Sequence, residues 1–148
     1  MYAKHLIDKV LITLEVGNQT ALFILLEKAG VIHRKGNGSP HATELTLKEG
    51  VSQQGHFEAL MMTVNENLFN YTGVINMPGR QGTECRLTLI FQGPEGIDYS
   101  FRVIYGAESE GPPQELAEIL INAVKITDQW YQDNVAANEP GRKWWKPW

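Results

Sequence analysis

The chain has 148 residues and a net charge of −4, with 43% apolar and 20% charged side chains, a globular composition and enough length for one domain. A chain of this size buries roughly 68–70% of its unfolded surface and needs no covalent staple. The acidic balance argues against a basic nucleic-acid footprint over the whole domain. The single cysteine, Cys85, excludes an internal disulfide framework and a cysteine-rich zinc site.

The N-terminus, Met1–Lys9, alternates charged and apolar residues and lacks the apolar stretch and small-residue cleavage site of a secretory signal. The longest apolar run, Ala21–Leu26, is far too short to span a bilayer. The expectation is a cytoplasmic protein with no integral membrane segment. Leu6, Ile7, Val10, Leu11 and Leu14 fall on one helical stripe that Gly17 would end, whereas Val10, Ile12, Leu14 and Val16 alternate as in a strand. Thr20–Gly30 reads as a helix closing at Gly30, with Val31 completing the apolar contact. Within it, Leu22–Leu26 has no polar face, so a buried helix and a buried strand both remain open.

Lys35–Pro40 is a loop by its breakers. Thr43–Lys48 alternates as a half-buried strand. Gly50–Gly55 is a polar connection. Phe57, Leu60, Met61, Val64 and Leu68 predict a helix over His56–Phe69, followed by a short strand within Tyr71–Met77 and a turn at Pro78–Gly82.

Cys85, Leu87, Leu89 and Phe91 then alternate with polar residues, as do Ile97, Tyr99, Phe101, Val103 and Tyr105, with the turn Gln92–Gly96 between them. Two period-two runs around a Gly/Pro turn predict a hairpin, and pairing Phe91 with Ile97 puts every apolar residue on one face. Pro112–Pro113 opens a last helix whose stripe runs through Leu116, Ile119, Leu120, Ala123, Val124, Thr127, Tyr131 and Val135. That helix can cover the greasy side of the hairpin.

The fold class expected is α+β: an antiparallel sheet of four or five strands with helices on one face. Residues 1–139 form a single domain and 140–148 an aromatic-basic tail. Residues 106–139 carry −6 and residues 140–148 carry +3. Part of the acidic excess, Glu108, Glu110, Glu115 and Glu118, lies at the start of the last helix, where acids complement the helix dipole.

Asn65–Phe69, Glu115–Val124 and Trp130–Tyr131, within an element order of helix, three strands and long helix from Phe57 to Tyr131, resemble the second half of the bacterial type III secretion chaperone family and its non-secretion relatives. The first half departs from that family, which places three strands after its first helix. The resemblance implies a small, acidic, often dimeric protein that binds other polypeptides and has no active site.

Two places could carry recognition. The expected hairpin register sets Arg86 opposite Arg102 and Thr88 opposite Ser100 on the open side of the sheet, with Glu84 and Asp98 as shields. Like charges facing each other are destabilising unless screened, so this face suits an acidic or main-chain group on a partner. The tail joins Trp144, Trp145 and Trp148 to Arg142, Lys143 and Lys146, the residue types of interface hot spots, although such tryptophans also plug core edges. His5, His33, His41 and His56 lack metal-ligand spacing and read as surface histidines. Cys85 reads as a buried small hydrophobe. The glycines of 36–38 and 78–82 match no phosphate-loop pattern.

These features favour a non-enzymatic protein-binding module, chaperone-like or adaptor-like. Its partner would be another protein or a second copy in a homodimer, without cofactor, metal or nucleic acid. The alternatives are a small enzyme with an unseen cleft and a carrier of an apolar ligand using Met61, Met62 and Met77.

Overall fold

The structure, a computed structural model, describes residues 4–38 and 47–138, with side chains described as far as Asn134. In chain order its elements are β1 (Lys9–Val16), β2 (Gln19–Glu27), β3 (Val31–Gly36), β4 (Lys48–Val51), α1 (His56–Met62), β5 (Gly73–Asn76), β6 (Glu84–Gln92), β7 (Asp98–Gly106) and α2 (Gln114–Asn138). A one-turn 3₁₀ helix occupies Lys4–Leu6 and a two-turn one Glu66–Tyr71. The fold is α+β, but its sheet has seven strands in the order β4-β3-β2-β1-β6-β7-β5, not four or five. It is also mixed, because β5 runs parallel to β7.

The extra strands come from the first third of the chain. Leu6–Leu14 does not form a helix: Lys9–Val16 is a strand, and Leu6 closes the short turn before it. Gly17 does not end a helix either. It opens a two-residue hairpin loop at φ 62°, where positive φ matches the twist of the flanking strands. Of the helix and the strand left open within Thr20–Gly30, the strand is the one that forms: the segment is β2 followed by a turn. β-Branched Val10, Ile12, Thr13 and Val16 favour the pleated form. The register shifts between Leu14 and Glu15, so β2 carries one extra residue there, and both Ala21 and Leu22 turn inward.

The helix expected over His56–Phe69 breaks at Thr63, whose hydroxyl donates to Leu60 O at 2.7 Å. The chain restarts when the Asn65 side chain accepts from Asn67 N at 2.9 Å. The strand expected over Thr43–Lys48 begins only at Lys48 among the described residues, and residues 39–46 lie outside them.

The hairpin of β6 and β7 forms with a different register. Phe91 pairs with Tyr99, not Ile97, and Gln92 pairs with Asp98. Gly93 N donates to Ile97 O at 2.9 Å, so Ile97 is absorbed into a five-residue loop containing Glu95 and Gly96 at positive φ. The shift is two residues, an even number, so every side chain keeps its face.

The core lies on one side of the sheet. Ile12, Leu22, Ile24, Leu87, Leu89 and Val103 are fully buried there, each stabilising the fold by about 1.5–3 kcal/mol. Leu60 of α1 and Leu116, Ile119 and Ala123 of α2 join the same cluster. Phe69 stacks on Tyr99 at 4.6 Å and meets Phe91 edge-on at 5.2 Å. α2 crosses the sheet from Phe101 of β7, beside Leu116, to Gly50 of β4, beside Trp130.

Arg34 is fully buried in this layer. Its guanidinium donates to Gly36 O (3.1 Å), Val124 O (3.2 Å), Thr127 Oγ1 (3.1 Å) and Asp128 Oδ1 (2.6 Å), and lies 4.8 Å above the Tyr131 ring. Tyr131 in turn accepts from Gly36 N at 3.1 Å. These bonds pin the middle of α2 onto β3. Among the described residues, no helix is long and apolar enough to cross a membrane.

Candidate functional site

Both helices occupy one face of the sheet, and among the described residues no element covers the other. Strand alternation fixes what that second face presents. In an antiparallel sheet with one solvated face the outward positions are normally polar. Here the centre is apolar. Leu25 of β2 pairs with Leu11 of β1, which pairs with Ile90 of β6. His33 extends this row on one side and Ser100 on the other. Phe23 and Ile104 lie one and two rows away. These five apolar side chains are half-buried by their neighbours in the sheet, yet none belongs to the core or packs against it.

Charge flanks the apolar row unevenly. In the row on one side, Lys35 neighbours Phe23, followed by Thr13, Thr88 and Arg102. In the row on the other side, Glu27, Lys9, Gln92 and Asp98 are cross-strand neighbours. His33 Nδ1 meets Glu49 at 3.5 Å.

The four residues expected at the recognition surface all lie on this face, but in a different arrangement. Arg86 does not stand opposite Arg102. It pairs with Ile104 across β7 and with Glu15 across β1, and its Nε donates to Glu84 Oε2 at 3.0 Å. Thr88 pairs with Arg102 and Ser100 with Ile90. The like-charge clash therefore disappears, and the two arginines become diagonal neighbours, roughly 7–8 Å apart at the backbone. Ser100 Oγ donates to Asp98 Oδ1 at 2.9 Å, and Gln92 Nε2 donates to Asp98 Oδ2 at 3.3 Å. Exposed Arg102 makes no hydrogen bond or ion pair among the described residues. Trp144, Trp145 and Trp148 lie outside the described residues.

Leu11, Phe23, Leu25, Ile90 and Ile104 were not singled out as site residues. Their signal was the near-continuous apolar character of Val10–Leu14, Ala21–Leu26 and Leu89–Phe91. That is how strands covered on both faces read.

Cys85 is buried on the inner side, its thiol donating to Thr83 O at 3.6 Å, and burial pushes its pKa up. Burial also pushes the neighbouring Tyr105 phenol up to about 12. His56 is not a surface histidine: it is buried at the start of α1, which lowers its pKa. No group of three or more His, Cys, Asp or Glu side chains gathers among the described residues. Met61 and Met62 line one open groove of about 420 Å³, whereas Met77 packs against the core, so the methionines do not share a cavity. A second open groove of about 440 Å³ lies between Leu68, Tyr71, Ile75, Phe101 and the start of α2, where Glu115 and Glu118 edge it.

No protein-family model, curated protein or solved structure matches this chain.

Proposed function

We propose that this chain is a non-enzymatic binding module that engages polypeptide through the open face of its sheet. The observation that carries the reading is the apolar row Leu25–Leu11–Ile90, outward-facing, detached from the core, and bordered by Arg102, which has no ion-pair partner among the described residues. Burying such a row against a partner removes apolar area from water at about 25 cal/mol per Å². Aliphatic side chains on a pleated face supply area, while Arg102 and Thr88 at its margin offer donors to a carboxylate or main-chain carbonyl. The chaperone-like form of this reading rests on the resemblance of Phe57–Tyr131 to type III secretion chaperones. The sequence of helix, three strands and long helix from His56 to Asn138 supports it.

The test is a photo-activated cross-linker placed at position 88, at the margin of the row, and for comparison at position 129 on the outer side of α2. Irradiation in the native host should give a discrete polypeptide adduct from position 88 and none from position 129. Equal labelling from both positions contradicts the proposal.

A further inference from the structure

We infer that the polypeptide covering the open face is a second copy of this chain, the two sheets packing face to face about a two-fold axis that lies along the Leu25–Leu11–Ile90 row. The inference deepens the binding reading above and rests on it. A two-fold contact demands a surface that matches itself after rotation. Rotation about this row leaves Leu11 facing Leu11 and exchanges the two flanking rows. On each strand, the residue two positions before the row then faces the residue two positions after it.

On β7 the row passes through Ser100, so Asp98 of one copy faces Arg102 of the other, and the pair occurs twice. On β2 the row passes through Leu25, so Glu27 of one copy lies over Phe23 of the other, beside Lys35, the cross-strand neighbour of Phe23. Lys9 faces Thr13 and Gln92 faces Thr88, neither of which brings like charges together. Arg102 and Lys35, which make no hydrogen bond or ion pair among the described residues, thus gain carboxylate neighbours. Asp98, bonded among the described residues only to the neutral Ser100 and Gln92, gains a cation.

The area suffices as well. Five strands about 4.8 Å apart and six residues at about 3.4 Å each span roughly 500 Å² per copy in projection. Two copies together reach about 1,000 Å² before side-chain relief is added, the threshold for a specific interface. Twisted sheets stack in this aligned manner in β-sandwiches.

The test is sedimentation equilibrium on the full chain and on three variants whose substitutions are exposed in the monomer. The wild-type chain should be a dimer. Asp98→Arg and Arg102→Asp, which each place like charges opposite one another twice, should each weaken it by about tenfold or more. The combined D98R/R102D chain restores opposite charges and should return to within about threefold of wild type. Failure of the double variant to recover overturns the two-fold arrangement, and so does a dimer that neither single change weakens. A wild-type chain that stays monomeric overturns the inference. The cross-linker at position 88 then separates the cases: an adduct with a different protein leaves the binding reading standing, an adduct with residues 139–148 of the same chain assigns the face to that segment, and no adduct overturns both.

Discussion

Replacing Asp128 by Ala removes the carboxylate that meets Arg34 at 2.6 Å and leaves a fully buried guanidinium beneath α2. Two unit charges centred about 4 Å apart interact by roughly 4 kcal/mol at an effective dielectric of about 20. The Asp128 side chain is 51% exposed, so solvent screens about half of that and roughly 2 kcal/mol remains. This falls below the 3–5 kcal/mol typical for breaking a fully buried pair. Arg34→Met is the informative contrast. It fills similar volume, removes the buried charge together with its desolvation, and leaves Asp128 hydrated. It also gives up the bonds to Gly36 O, Val124 O and Thr127, so its net effect should be about 1 kcal/mol or less. Urea unfolding followed by tryptophan fluorescence gives both values, with Trp130 two residues from the pair as the internal reporter. A loss of about 2 kcal/mol lowers Tm by roughly 4–8 °C in a domain of this size. The double variant R34M/D128A should match R34M alone. If Arg34→Met proves as damaging as Asp128→Ala, the buried pair is not what fastens α2, and the reasoning fails.

Gly36→Ala should destabilise by about 2 kcal/mol or more, because φ is +80° and a Cβ would strike the Ala21 carbonyl; calorimetry showing an unchanged Tm would refute the geometry of the β2–β3 end. His56 is held below its ordinary pKa of 6.5 by burial, so as pH falls through that value the unfolded chain takes up a proton first. Stability should therefore decrease from neutral pH downward until the folded group also protonates, and His56→Gln should flatten that slope in denaturation series between neutral pH and about pH 5. Deleting residues 141–148 should leave both association through the sheet face and Tm nearly unchanged; an unfolded product would show instead that this segment completes the core.

The β6–β7 hairpin and α2 were legible because each carries one clean period, two in the strands and 3.6 in the helix. For β1 and β2 the sequence left helix and strand both open. Their outward Leu11, Phe23 and Leu25 break the alternation that marks a half-buried strand; Leu11 also fits a helical stripe, and Leu22–Leu26 has no polar face to decide between the two. The feature that hid the strands is thus the one that makes the face a candidate site. The register error had a local cause: apolar Ile97 reads as the first strand residue, but the bond from Gly93 N to its carbonyl holds it in the loop. The role of Arg34 was invisible because no strand was read over Val31–Arg34 and Lys35–Pro40 read as loop. With the strand restored, Arg34 falls on the inner parity between Ile32 and Gly36, where a cation requires partners.

The most direct measurement is the pair of substitutions Leu11→Asp and Ile12→Asp, read by melting temperature and by association. Leu11 faces outward and Ile12 is fully buried beneath the helices. The account predicts that Leu11→Asp keeps its Tm within a few degrees while losing association, and that Ile12→Asp unfolds. Leu11→Asp unfolding as Ile12→Asp does, or retaining full association, would contradict it.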